Sequence, residues 1–286
     1  MKCLQAPVSK ILTWSAVDGP GNRLVLFLQG CNYNCLACHN PHTIGQCNHC
    51  GDCLDACPED ALSLEDGRIR FDADRCTNCD MCLAACPINA NPMVQSFSIE
   101  DILTLLRDNA GFLTGITVSG GEATMHLAFI RALFTAMGED AGLCHLTRFI
   151  DSNGHLGAAG WHSVLDVTDG VMLDIKAFDT ALHRNLTRRS SHRSIASARL
   201  LNAAGKLHEL RYLMIPGKTD SGAEIDALIT FAKSLENPVR LRLNGFRTHG
   251  VRGEAADWPM LKRQVLIKAA ARMERAGLGP VALPAF

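Results

Sequence analysis

Apolar residues fall in short runs whose spacing changes along the chain. Residues 23–30, RLVLFLQG, form a continuous apolar run and are expected to be a buried strand. From Ser98 onward, helical and strand patterns alternate. SIEDILTLLRDN carries Ile99, Ile102, Leu103, Leu105 and Leu106 at mostly helical spacing, with Ser98 as its N-cap. GITVSGG then reads as a strand, HLAFIRALFTAMG as a helix, LTRFIDSNG, VMLDIKAF and HELRYLMIPG as strands, AEIDALITFAKSL as a helix, and VRLRLNGF as a strand. Such alternation implies βαβ units around a parallel sheet. Six strands are too few for a closed eight-stranded barrel, so a partial barrel and a doubly wound sheet both fit the pattern.

Residues 43–92 break this rhythm. CNHCGDCLDACP is followed 29 residues later by CTNCDMCLAACP, so Cys47, Cys50, Cys53 and Cys57 match Cys76, Cys79, Cys82 and Cys86 at one offset. The segment is an internal duplication. Between the halves, LSLEDGRIRF alternates about Asp66-Gly67, the signature of a two-residue hairpin turn. So short an insert lacks a sufficient apolar core, and bound metal would supply the missing stability.

Composition narrows the class. With 286 residues, 47% of them hydrophobic, the chain can bury an α/β core. Lys+Arg at 28 against Asp+Glu at 29 gives no basic field for nucleic acid and no polybasic anchor for a membrane. MKCLQAPVSKILTW has no apolar signal region, and no apolar run approaches the roughly 18 residues of a spanning helix, so a cytoplasmic protein is expected. The anomaly is cysteine. Of thirteen, eleven fall between Cys31 and Cys86. Without an export signal, reduced thiolates that bind metal account for them better than a disulfide framework.

Each repeat reads C-x2-C-x2-C-x3-C-P, the ligand run of bacterial two-cluster ferredoxins, in which the fourth cysteine serves the other cluster. One [4Fe–4S] cluster is therefore expected on Cys47, Cys50, Cys53 and Cys86, and another on Cys76, Cys79, Cys82 and Cys57. Structural zinc is the alternative, but its ligands come as separated pairs. Cys31, Cys35 and Cys38 form a C-x3-C-x2-C loop directly after the first strand, with no fourth cysteine left to join them. Three thiolates on a four-iron cluster leave one iron open, and an open position is where chemistry is expected. A zinc knuckle completed by His39 or His42 is the competing reading.

CNYNCLACHNP following VDGPGNRLVLFLQG resembles the radical S-adenosylmethionine superfamily, and within it the activating enzymes of glycyl radical enzymes, such as the pyruvate formate-lyase activases. With its cysteine insert the chain is most similar to the YjjW-type activases. SGGEAT at 119–124, DSNG at 151–154, LDIK at 173–176 and LRYLMIPG at 210–217 follow in the family's order. The resemblance implies a partial (β/α)6 barrel, residues 1–42 and 93–286, with a ferredoxin-like insert at 43–92. It implies three [4Fe–4S] clusters, with S-adenosylmethionine chelated to the open iron held by Cys31, Cys35 and Cys38. Gly120, Gly121 and Glu122 would receive its methionine end, Asp174 and Lys176 would contact it, and Asp151 would contact it or a cation. Asp18 and Arg211 would face the glycine loop of the partner, a glycyl radical enzyme. A low-potential donor such as flavodoxin or ferredoxin would supply electrons.

Plain structural readings stand beside these assignments: a tight turn for Gly120-Gly121 and a satisfied ion pair for Asp174 and Lys176. The chain also departs from the family pattern. Ala37 stands where an aromatic residue often packs the adenine, leaving backbone contacts from Ala37 to His39, and Ala123 replaces the usual proline after SGGE. Gly217-Lys218-Thr219 is not a phosphate loop, because Tyr212 occupies the position of the required first glycine. Cys3 and Cys144 read as inert small hydrophobes. Two rival functions share parts of the pattern. A radical enzyme for a small molecule would need a closed polar pocket, and a pure electron carrier would leave the three-cysteine loop without purpose.

Overall fold

The computed structural model describes residues 4–284, so Cys3 lies outside the described residues. The chain forms two compact units, one of Met1–Asn32 and Asn40–Leu146, the other of Tyr33–His39 and Thr147–Phe286. The cysteine insert stays wholly within the first.

In the first unit, strands β1 (Gln5–Ser15) and β2 (Arg23–Leu28) form an antiparallel pair. Leu24, Val25, Leu26 and Leu28 of β2 are completely buried, each contributing about 1.5–3 kcal/mol of hydrophobic stabilisation. The insert carries the hairpin β3 (Leu62–Glu65) and β4 (Arg68–Phe71) and the short helix α1 (Met81–Ala85). Asp66 and Gly67 turn the hairpin with positive φ at both positions, 50° and 69°, the two-residue turn that Asp-Gly predicts. Strand β5 (Gln95–Ser98) pairs with the outer edge of β1 and leads into helix α2 (Ile99–Asn109). Ser98 caps α2 as expected, in a reciprocal box with Asp101. The helix buries Ile102, Leu103 and Leu106. Strand β6 (Gly115–Gly120) lies parallel to β2, and helix α3 (Leu127–Glu139) closes the unit. β1 and β5 are strands that periodicity did not single out.

The second unit contains β7 (Thr147–Ser152), α4 (Ala158–His162), β8 (Gly170–Ile175), α5 (Thr180–Thr187), α6 (His192–Ala203), β9 (Leu207–Met214), α7 (Gly222–Lys233), β10 (Arg240–Gly245) and α8 (Arg263–Arg275). Its four strands run parallel in sequence order. The six parallel strands of the two units are the six read from the sequence. No helix among the described residues is long and apolar enough to cross a membrane.

Candidate functional site

The first cysteine stands at the carboxyl end of β2, where α/β folds place their ligand contacts. Gly30, at φ 107°, turns the chain out of the strand, and the Cys31 N–H donates to the Ile44 carbonyl at 3.2 Å. The SGGE turn after β6 packs against this corner with no room for a side chain. A Cβ on Gly120 would sit 2.1 Å from the Leu28 carbonyl oxygen, and one on Gly121 would sit 2.3 Å from that of Gly30 and 2.6 Å from that of Thr43. Both glycines are therefore required by packing, and what they pack against is the backbone leading to Cys31. Glu122 N–H closes the corner by donating to Gly30 O at 2.8 Å. The Glu122 carboxylate is 1% exposed and accepts from Thr124 N–H at 3.0 Å and from the Thr124 hydroxyl. Asp18 lies at the other end of β2, its carboxylate accepting from Ser15 Oγ at 2.6 Å. One six-residue strand, about 20 Å long, separates it from this corner.

The insert repeats its backbone as well as its cysteines. His49 and Asn78 (φ 61° and 56°), Gly51 and Asp80 (94° and 59°), and Asp60 and Asn89 (47° and 53°) are left-handed pairs at the sequence offset. Apart from glycine, only the residue types that tolerate this region are used. Main-chain N–H groups point at sulfur in the same repeat: His49 to Cys47 at 3.3 Å and Asn78 to Cys76 at 3.4 Å, Ala61 to Cys57 at 3.2 Å and Ala90 to Cys86 at 3.3 Å. Burial pushes the Cys53 thiol up, and the thiols that add to this are Cys47, Cys86 and Cys50, the other members of its expected ligand set. Cys82 is pushed up to about 11, by burial first and then by Cys53, Cys57 and Cys76. Cys57, Cys76, Cys79 and Cys82 line one cavity walled by Ala61, Leu62, Phe71 and Met93. Cys53 and Cys82 buried in apolar space, with amides aimed at the sulfurs of Cys47, Cys57, Cys76 and Cys86, suit thiolates neutralised by iron.

The other two cysteines of the loop belong to the second unit. Residues 33–39 are strapped to the end of α5 by Asn34 N–H to Thr187 O at 3.2 Å and Leu36 N–H to Leu186 O at 2.9 Å. Tyr33 is 2% exposed, bonds Ser194 Oγ at 2.9 Å and lies edge-on between His155 and His183. Leu36 and Ala37 pack on the core formed by Ala177, Leu186, Ile215, Phe246, Val251 and Ala255. Gly250 approaches His39 so closely that a Cβ would lie 2.3 Å from its carbonyl oxygen. Burial first, then the charges of Lys176 and His249, keep the His39 imidazole neutral to a lower pH than usual.

β8 delivers Asp174, with Lys176 just past its end. The Lys176 ammonium donates to Asp174 at 2.5 Å. Burial opposes its charge, but Asp174 and the thiols of Cys35 and Cys38 outweigh that and raise its pKa. Asp174 is in register with Arg211 on β9. Arg211 donates to Asp151 at 3.3 Å, to Glu209 at 2.8 Å and toward Met172 Sδ at 2.8 Å. Burial is again the largest influence on Arg211, and Asp151, Asp174 and Glu209 more than offset it. Glu209 is 2% exposed and also pairs with Arg242 at 2.9 Å and Arg240 at 3.5 Å. Burial works against its charge, yet its bonds from Arg211 and Arg242 hold its pKa down. Sequence reasoning passed over Glu209 and Tyr33. The period-two alternation of LHELRYLM, which puts Glu209 and Arg211 on one face, was the available signal.

Residues 46–90 match a 4Fe-4S dicluster domain. The pyruvate formate-lyase-activating enzyme of Streptococcus mutans is 30% identical over 85% of this chain and 78% of its own. The benzylsuccinate synthase activating enzyme of Thauera aromatica is 32% identical over 77% of this chain and 72% of its own. Among solved structures, a radical SAM methyltransferase from Sphaerobacter thermophilus covers 98% of this chain and 76% of its own with a TM-score of 0.51 at 13% identity, a likeness of fold. The chain thus belongs to the glycyl-radical-enzyme activating enzymes, oxidoreductases of the radical S-adenosylmethionine superfamily with its partial (β/α)6 barrel, and it carries an inserted iron–sulfur domain.

Proposed function

We propose that this chain installs a glycyl radical on a partner enzyme, using S-adenosylmethionine bound at a four-iron cluster on Cys31, Cys35 and Cys38. The observation that carries the reading is the charged group Asp174–Lys176 beside Cys35 and Cys38. An ammonium whose charge Asp174 and the thiols of Cys35 and Cys38 favour is suited to a zwitterionic cofactor. A four-iron cluster held by Cys31, Cys35 and Cys38 would, once reduced, supply the electron for splitting the sulfonium into methionine and a 5′-deoxyadenosyl radical, which would take a hydrogen from a glycine Cα.

The protein's own residues bind and orient. Glu122, held by Thr124, pairs with the cofactor ammonium while Gly120 and Gly121 keep the backbone close enough to reach it. Asp174 and Lys176 hold the ribose and carboxylate side, and Asp151 holds the cofactor or a cation. Ala37 and His39 offer backbone groups to the adenine. Arg211, fixed between Asp151 and Glu209, faces the incoming glycine loop. Asp18, expected to face the same loop, lies a strand's length from Glu122 at the other end of β2. Near-contact geometry is what hydrogen transfer requires.

The test is to incubate the reduced protein with S-adenosylmethionine and a glycyl radical enzyme labelled with deuterated glycine. Deuterium should enter 5′-deoxyadenosine, and a glycine-centred spin-resonance signal should appear in the partner. Lys176→Ala should weaken cofactor binding, whereas Arg211→Ala should spare uncoupled cleavage and impair transfer. Deuterium entering only from a labelled small metabolite would falsify the assignment.

A further inference from the structure

The chain doubles back between β2 and the insert. Residues 42–45 run beside residues 29–31 and are bonded to them repeatedly. Gly30 N–H donates to Thr43 O at 2.8 Å and Cys31 N–H to Ile44 O at 3.2 Å. The side-chain amide of Gln29, 2% exposed, donates both to His42 O at 2.9 Å and to Gly45 O, clamping the segment from two sides. The Gln29 carbonyl in turn accepts from His126 Nε2 at 2.8 Å. Only two residues, Gly45 and Gln46, separate Ile44 from Cys47, at most about 11 Å of extended chain. The returning end of the insert meets the same place: a Cβ on Gly45 would lie 3.8 Å from the carbonyl oxygen of Ile88, two residues beyond Cys86. Cys47 and Cys86 therefore both sit on segments fastened to the Cys31 corner.

The other cysteine set is fastened elsewhere. Cys76 Sγ lies 4.0 Å from the sulfur of Met93, which leads into β5. β5 is the edge strand, and β1 stands between it and β2. Two strand spacings amount to about 10 Å, so this attachment is displaced sideways from the strand that carries Cys31. Cys79 is solvent-exposed, as is its counterpart Cys50, and Cys57, Cys76, Cys79 and Cys82 line a cavity on the insert.

We infer that the relay has a fixed order. The site on Cys57, Cys76, Cys79 and Cys82 is the outer one, taking single electrons from a low-potential one-electron donor, and the site on Cys47, Cys50, Cys53 and Cys86 is the inner one that hands them to the Cys31 corner. Each transfer oxidises one site by one electron and reduces the next, with no bond made or broken. This order rests on the activase reading above. Gln29 acts as a positioning residue for the inner site, because its amide holds the segment that spans from Cys31 to Cys47.

The test uses the anaerobically reconstituted full chain, reduced with dithionite, with S-adenosylmethionine as the probe that identifies the open-iron signal. Magnetic coupling between reduced clusters falls with the cube of their separation, so the inner site should dominate the broadening and fast relaxation of that signal. Cys50→Ala should remove the broadening while Cys79→Ala preserves it. Cys50→Ser and Cys79→Ser, whose oxygen ligand keeps a cluster but shifts its spectrum, report the same order if alanine costs the insert its iron: only the Cys50→Ser shift should be seen in the coupling. Gln29→Leu should weaken the coupling at unchanged iron content. The reverse order, or equal loss in both alanine variants, overturns the inference. A chain in which no signal responds to S-adenosylmethionine, and in which Cys31/Cys35/Cys38→Ala leaves the iron content unchanged, overturns the activase reading and the order with it.

Discussion

Replacing Gly120 by alanine should be among the most damaging single-methyl additions in the protein. The new carbon would stand 2.1 Å from the oxygen and 2.3 Å from the nitrogen of Leu28, where a carbon–oxygen contact needs about 3.3 Å. Leu28 and Gly120 are register partners at the end of the β2–β6 ladder, so the strands must part there by about 1 Å. The 3.0 Å bond from Gly121 N–H to Leu28 O goes with them. Gly120 also has φ 126°, a region that L side chains rarely occupy. Backbone strain of about 1–3 kcal/mol, overpacking of about 1–3 and one lost hydrogen bond of about 1 sum to roughly 3–7 kcal/mol. Against a total of about 5–15 kcal/mol this is severe, and at about 2 °C per kcal/mol it lowers Tm by roughly 6–14 °C. Two controls separate the contributions. Gly67→Ala has φ 69° and no atom within 4 Å, so it should cost only about 1 kcal/mol. Gly157→Ala, at φ −76° with nothing within 4 Å, should be neutral within about 0.5 kcal/mol. Thermal and urea unfolding of the reconstituted protein would measure all three, and a Gly120→Ala protein as stable as Gly157→Ala would refute the reasoning.

If the eleven cysteines hold three four-iron clusters as proposed, anaerobic reconstitution should give about twelve irons per chain, falling to about eight in Cys31/Cys35/Cys38→Ala; stoichiometric zinc with little iron would overturn this. Cys35→Ala should abolish reductive cleavage of S-adenosylmethionine, whereas Cys79→Ala should slow electron delivery yet leave cofactor binding intact; equal loss of binding would show the insert to be more than a conduit. Glu209→Gln leaves Arg211 and Arg242 without their shared counter-charge and should cost about 3–5 kcal/mol in urea unfolding. Because the folded state holds the Glu209 pKa down, its contribution is present above the ordinary carboxylate pKa of about 4.3 and lost as pH falls below that value. The variant should therefore show a flatter acid limb, and an unchanged limb would contradict the assignment.

Much of this was legible in sequence for identifiable physical reasons. The β2 run, the Ser98 cap and the Asp66-Gly67 turn are local signals, decided within a few residues. The cysteine spacing was legible because ligand geometry forces residue type and offset together. Other features are written in partners far along the chain. The carbonyls of Leu186 and Thr187 that hold residues 34–36 carry no side-chain signature, and Gly250 reveals its close approach to His39 only once folded. β1 escaped because its burial alternates irregularly, from buried Ala6 and Val8 to exposed Trp14. Gly120 and Gly121 were ambiguous between ligand approach and tight packing, and the distances to Leu28, Gly30 and Thr43 establish the packing role.

The Asp66-Gly67 turn has a practical use. It is exposed, no neighbouring atom lies within 4 Å of the Gly67 Cβ direction, and its backbone is shaped by two residues alone. The flanking ladder from Leu62–Phe71 to Glu65–Arg68 is complete without it. A peptide tag, a fluorophore or a tether to an electrode could be spliced there, giving wired contact with the insert while both cysteine repeats and the β2–β6 corner stay as they are.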